Sequence, residues 1–212
     1  MTYEILILIK WWVKTMVFDG ILIAVIVGFF RKGSLRGLAD LQLKYGWIFP
    51  ILVLLQLSVY FMQNKYEMLG FLSGYIYMFV YVIGMAFLWV NRHHSGFTLI
   101  LIGTFLNFLV MALNGGRMPV LESAATLLDP HYIDTLKNEL YAKHTLLTES
   151  SRLGFLGDII PLTDPYPRSQ IISIGDVVMN IGAFQFIQYL MVHKNRDTSL
   201  EGETSSLKEV KS

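Results

Sequence analysis

The chain has 212 residues, 54% of them hydrophobic and 16% charged, with a formal net charge of +1. A soluble domain is about one quarter charged, so this sequence lacks the polar surface to face water on every side, and it has no basic footprint for nucleic acid. The absence of cysteine excludes disulfides, thiolate nucleophiles and Cys-ligated zinc or iron–sulfur sites.

The expected fold is an all-α integral membrane protein, with five transmembrane helices and a structured exterior loop between the fourth and fifth. A spanning helix needs roughly 20 predominantly apolar residues. In chain order the candidate spans are about 16–30, stopping at Arg31-Lys32; 46–63; 67–90, ending at Asn91-Arg92; 96–113, stopping at Gly115-Gly116; and 171–192, closed by His193-Lys194. Ahead of them, residues 1–15 mix an apolar run with Lys10, Trp11, Trp12 and Lys14, which suits an interfacial segment at the headgroup level. The competing reading is one tilted helix through 3–30. The basic residues there are not terminal and no small-residue cleavage site follows, so a signal peptide fits poorly. The exterior loop, 114–170, differs in composition: it holds seven of the acidic residues and five of the six prolines. Within it, 119–128 and 131–147 read as two short surface helices. Residues 193–212, rich in Ser, Glu, Thr and Lys, are expected to be a disordered tail.

Short loops carrying Lys and Arg stay inside. The 31–45 connection carries Arg31, Lys32, Arg36 and Lys44, and the tail adds Lys194, Arg196, Lys208 and Lys211. The expected topology is therefore a multi-pass cell-membrane protein with the N-terminus outside and the C-terminus cytoplasmic. The bilayer is then the first partner, with another membrane or exterior protein as a second.

Charge inside a span is costly, about +2.5 to +3.5 kcal/mol at the helix centre, so polar residues there are the candidates for function. Asp19 falls near the outer end of the first span. Asn107, Gln56, Asn180, Gln185 and Gln188 suit interhelical hydrogen bonding, and Gly70, Gly74 and Gly84 with Ser73 suit close packing in the third span. Three stretches stand apart. Asn114-Gly115-Gly116-Arg117-Met118-Pro119 permits a sharp turn and hangs Arg117 at the outer surface, where lipid phosphate or a buried carboxylate would pair with it. Gly154-Phe155-Leu156-Gly157-Asp158-Ile159-Ile160-Pro161-Leu162 is too apolar for a free loop and is expected to pack on the bundle, bringing Asp158 towards Arg117 and Asp176. Ser173-Ile174-Gly175-Asp176 places Asp176 either as the third residue of a capping box or as a partly buried acid–base carboxyl. His-Glu-x-x-His, Gly-x-Ser-x-Gly and phosphate-binding glycine loops are absent, so neither a metal nor a cofactor is expected.

At these three stretches (Asn-Gly-Gly-Arg-Met-Pro-Val at 114–120, Leu-Gly-Asp-Ile-Ile-Pro-Leu at 156–162 and Ser-Ile-Gly-Asp-Val at 173–177) the chain resembles an uncharacterised family of small bacterial polytopic membrane proteins, a domain of unknown function. The resemblance covers about 16–192 and implies a multi-span fold without an activity. A fainter likeness is to the lipoprotein signal peptidases, which use two aspartates at the outer membrane surface. Ile172-Ser173-Ile174-Gly175-Asp176 is similar to their second motif, with Ser173 in place of its asparagine and Gly175 in place of its alanine. Their first motif fails in register: Gly157 matches its glycine, but Asp158 stands at the asparagine position and Pro161 at that of the aspartate.

The leading expectation for function is a non-catalytic subunit, sensor or assembly factor that docks through the exterior loop. The alternative is a membrane-embedded hydrolase or transferase with Asp158 and Asp176 as catalytic carboxyls, oriented by the polar cluster Asn114, Gly115, Gly116, Arg117 and Ser173. A small-solute or lipid transporter is the third, weakened by the lack of an inverted repeat.

Overall fold

The computed structural model describes residues 16–39, 41–128, 133–134, 136–137, 143–164, 166 and 169–193, with backbone alone at 16–19, 128 and 193. The expected interfacial segment 1–15, the tail from 194 onward, the Asp19 side chain and much of the 131–147 stretch lie outside these residues.

The α-helices among the described residues are α1 (Met16–Phe30), α2 (Arg36–Ala39), α3 (Ile48–Met62), α4 (Glu67–Val90), α5 (Phe97–Leu113), α6 (Glu122–Leu128) and α7 (Ile174–Gln188), the last continued by a π-helical turn at Tyr189–His193. Among the described residues α4 is the one helix long and apolar enough by itself to cross a membrane, whereas Gly20–Phe30, α3 and α5 are apolar but shorter. A 15-residue helix rises about 22 Å, against roughly 30 Å of bilayer hydrocarbon. Where five spans were expected, four apolar helices are therefore present among the described residues, and α4 alone meets the spanning length. Local signals explain the short ends. Tyr45 at φ 59° turns the chain into α3, and Gly115 and Gly116, at φ 67° and 77°, stop α5. Pro50 is tolerated because it sits in the first turn of α3, where its missing N–H has no intrahelical acceptor.

The helices alternate in direction. Lys44, before α3, meets Asn91 at the end of α4, and Gln63, just past α3, meets Arg117 after α5. Gly96, the N-cap of α5, and Gly103 within it lie against Gly182 and Gly175 of α7 in antiparallel order, so closely that a Cβ at any of the four would run into backbone of the opposing segment. The two pairs share one spacing of seven residues, which keeps both contacts on one face of each helix. Gly28 and Gly37 bring α1 and α2 against Met191 and Leu190, so α1 runs parallel to α7. Gly84 departs from expectation: nothing lies within 4 Å of the position its Cβ would take. It is not a packing glycine.

At one end of the bundle the described residues of the 114–173 segment include a layer of short strands. β1 (Met118–Val120) pairs in parallel with β2 (His144–Leu146), and β3 (Ile160–Leu162) pairs antiparallel with β4 (Gln170–Ile172). This corrects two expectations. Residues 118–120 and 144–146 are strands rather than parts of surface helices, and only Glu122–Leu128 of the first stretch is helical. The last helix also begins at Ile174, not 171, because extended backbone at Ser173 lets 170–172 pair with β3. Met118 and Leu156 join Val59, Tyr77, Val110 and Met111 in one buried cluster, which fastens the layer to the bundle.

These contacts set a contrast between two glycines. Gly175→Ala is expected to destabilise by about 1–3 kcal/mol, as overpacking does, and to lower the thermal midpoint in mild detergent. Gly84→Ala in the helix interior is expected to leave the midpoint unchanged or raise it, by up to about 1 kcal/mol of helix propensity.

Candidate functional site

The end of the bundle under the strand layer holds a concentration of buried polar groups. Ser173 caps α7: its Oγ accepts from the Asp176 N–H at 3.0 Å, while Asp176 Oδ2 accepts from the Ser173 N–H at 3.0 Å. Both are tied to α5. Asn107 Nδ2 donates to Asp176 Oδ1 at 2.9 Å, and Ser173 Oγ donates to Asn107 Oδ1 at 2.8 Å. The three side chains close a ring, with Asn107 and Ser173 fully buried. Gly175 makes it possible, since a Cβ there would meet the Asn107 amide. Of the two sequence readings of Asp176, its geometry is the capping one: both carboxylate oxygens accept hydrogen bonds.

Asp158 sits in a different setting. It flanks β1 on the side opposite β2, with its N–H donating to Pro119 O at 2.8 Å and its carbonyl accepting from Leu121 N–H at 3.0 Å. Parallel pairing puts His144 beside Met118 and Asp158 beside Val120, two positions on the same strand face, and His144 Nε2 approaches Asp158 Oδ2 at 3.3 Å. The β3–β4 register, Ile160 opposite Ile172, then carries Asp158 back to the level of the α7 N-terminus. Asp158 is buried, and that burial pushes its carboxyl above the ordinary aspartate range; His144 opposes the rise, the nearby charge of Asp176 adds to it, and Lys143 opposes it.

Lys143, next to His144, reaches Tyr81 of α4, its Nζ donating to the Tyr81 hydroxyl at 2.9 Å. Burial disfavours its ammonium, but Tyr81, Asp176 and Asp158 together outweigh burial and hold it above the ordinary lysine range. One site therefore gathers Lys143, His144, Asp158 and Asp176, from β2, the turn before β3 and α7. It can hold a proton on Asp158 and stabilise a negative charge with Lys143. Among the described residues no cluster of three or more His, Cys, Asp or Glu is arranged to hold a metal.

The polar cluster expected at the end of α5 is split. Arg117 meets neither Asp158 nor Asp176. It hydrogen-bonds Ser73 and Gln63 and lies over the Tyr77 ring, 5.8 Å from its centroid. Asn114 accepts from Arg152 N–H at 2.9 Å and donates to Arg152 O at 2.8 Å, pinning the far side of the folded segment. Gly115 and Gly116 let that turn lie against Gly74 of α4. Ser173 alone of the cluster touches one of the two aspartates. Sequence reading missed Lys143 and His144 as site residues. The one local cue was a basic pair heading the strand-like run Thr145-Leu146-Leu147, and the pairing with β1 that gives it meaning is tertiary.

Breaking the ring tests its weight. Asn107→Ala strands the Ser173 hydroxyl and one Asp176 oxygen in a buried position, so a loss of about 1–3 kcal/mol in unfolding free energy is expected, with exchange opening first at 173–178. Wild-type stability and protection in that variant would show the ring to be dispensable.

No solved structure matches this chain. An uncharacterised protein of Thermotoga maritima is 34% identical over 171 residues, covering 81% of this chain and 89% of that protein. A model of a family of unknown function, DUF5317, matches residues 40–188, which include all three motif stretches. The chain therefore belongs to this family of unknown function.

Proposed function

We propose that this protein is a five-helix, multi-pass membrane protein acting as a non-catalytic, proton-responsive sensor or subunit, with the folded 114–173 segment as its exterior docking surface. The membrane reading is supported by an inverted distribution of side chains. Met68, Phe71 and Tyr75 on the outer face of α4 are 76%, 74% and 69% exposed, whereas Ser73, Asn91 and Asn107 are 0% exposed. Lipid rather than water is the solvent in which that arrangement is stable. The cationic loops at the opposite end, Arg31 to Lys44 and Arg92, favour that end as cytoplasmic.

One observation carries the proton-responsive role: Asp158 is buried against a half-buried His144, 3.3 Å away, where the folded segment meets the bundle. A protonated Asp158 brings no charge into this junction, and losing that proton leaves a buried carboxylate there. Because folding raises the Asp158 pKa, the stability contributed by its protonation is full at low pH. That contribution is lost as pH rises through the folded-state value. Acid therefore tightens the segment on the bundle and base loosens it, offering or withdrawing the docking surface.

A second reading is a membrane-embedded hydrolase or transferase. The raised Asp158 pKa favours it, since a carboxyl that keeps its proton can act as a general acid. Asp176, held by the ring, would then orient rather than react.

Two outcomes test the proposal. Cysteine placed at the exposed Ser150 should react with an impermeant reagent from outside intact cells, and cysteine at Gln42 only after permeabilisation; the reverse pattern ends the orientation argument. Hydrogen exchange at 153–160, corrected for its intrinsic pH dependence, should rise in the wild type as pH is raised above the ordinary aspartate range and through the folded-state value. Asp158→Asn, a neutral isostere, should keep the segment protected throughout. Exchange equally insensitive to pH in both proteins would remove the sensing role.

A further inference from the structure

The cationic end of the bundle holds a second built arrangement, and it rests on the membrane reading above. Asn91, fully buried just past the end of α4, clamps the loop before α3. Its Oδ1 accepts from Lys44 N–H at 2.9 Å, and its Nδ2 donates to Lys44 O at 3.0 Å and to Phe87 O at 2.9 Å. A side-chain amide thus pairs with the Lys44 main chain in both directions, and the Lys44 backbone is fixed to the residue that directly precedes Arg92.

Arg92 is itself positioned. Its guanidinium lies over the Trp89 ring, 4.3 Å from the centroid, and Nη1 donates to Trp89 O at 2.8 Å. That bond uses one of the five guanidinium donors, and both Lys44 and Arg92 are exposed. Tyr45, Trp47 and Trp89 flank them at 60%, 64% and 58% exposure. Rings of this kind prefer the headgroup level, apolar body towards the chains and polar edge towards water. Asp40 is the sole acidic residue of the sequence between 31 and 47, and 89–96 has none. The surface is therefore cationic and aromatic together, at the place where apolar helix faces end.

We propose that Lys44 and Arg92, held together by Asn91 and flanked by Trp47 and Trp89, form a binding site for the headgroup of an anionic phospholipid. The fork of Arg92 takes two phosphate oxygens, Lys44 supplies a second point charge, and the two indoles cover the glycerol and upper acyl region. Asn91 is the positioning residue: it touches no lipid and sets the spacing of the two cations. Arg31 bonds Gln188 near the end of α7, where α2 also packs, so Arg31, Lys32 and Arg36 stand outside the Asn91 clamp and contribute a diffuse attraction.

The test uses the full chain in nanodiscs of phosphatidylcholine with or without phosphatidylglycerol, and native mass spectrometry to count lipid retained on the released protein. Wild type should retain phosphatidylglycerol in preference to phosphatidylcholine, and excess inorganic phosphate should not displace it. The double variant K44Q/R92Q, at exposed positions that spare the core, should lose that retention by on the order of tenfold or more. K32Q/R36Q, with the same change in net charge, should retain nearly as much as wild type. Asn91→Ala should fall between them, with no charge altered. Equal loss in both double variants would reduce the site to bulk charge and overturn it. Equal retention of the two lipids, or displacement by phosphate alone, would do the same. Failure to enter phosphatidylcholine discs at all would instead remove the membrane reading on which the proposal rests.

Discussion

Polar side chains can close a ring inside an apolar helix bundle only where two backbones come close enough for short side chains to bridge them. α5 and α7 meet that condition through the Gly96–Gly182 and Gly103–Gly175 contacts, and the Asn107–Ser173–Asp176 ring occupies the upper end of that seam. The rest of the arrangement follows from it. The ring decides that α7 begins at Ile174 rather than earlier, which leaves 170–172 extended and free to pair with β3. The β3–β4 register then sets where the preceding turn must lie, and that turn carries Asp158. Removing the seam would remove the reason for the folded segment to sit where it does.

That segment is held by contacts of different kinds. Met118 and Leu156 extend the bundle's apolar core, Asn114 braces Arg152, Arg117 reaches into α4, and Lys143 bonds Tyr81. Most of these are indifferent to pH near neutrality, because they are apolar, neutral or involve cations that stay charged. The His144–Asp158 contact is the exception, since its carboxyl is shifted upward by burial. A junction with one titratable latch among several fixed fasteners responds in degree rather than by release. This is the behaviour expected of a sensor that adjusts a docking surface.

The helices were legible in the sequence because apolar runs of helical length end at identifiable stops: Arg31-Lys32, Asn91-Arg92 and Gly115-Gly116. The capping role of Asp176 was legible too, as the Ser-x-x-Asp pattern of Ser173 and Asp176 directly before an apolar run. Span length was less so, because the turns that shorten α3 and α5 depend on positive φ at Tyr45 and on the Gly115-Gly116 pair meeting Gly74. The site was half visible. Convergence of the segments carrying Asp158 and Asp176 could be argued from the apolar character of 154–162, but the expected pairing with Arg117 could not be checked against Ser73 and Gln63, which lie more than forty residues away in sequence. Lys143 and His144 were invisible for a related reason. Three-residue strands carry almost no periodic signal, and only their pairing with β1 turns two ordinary basic residues into neighbours of a buried carboxyl.

The central claim is that Asp158 keeps its proton at pH values where an ordinary aspartate, near pKa 4, has lost it. Infrared difference spectroscopy of the full-length protein in nanodiscs across a pH titration addresses this directly, by following the carbonyl stretch of a protonated carboxylic acid. The account predicts such a band in the wild type at pH well above 4, fading as pH rises, and missing from Asp158→Asn at every pH. An Asp158 carboxyl already ionised near its ordinary value, or a band that persists unchanged in Asp158→Asn, would contradict it.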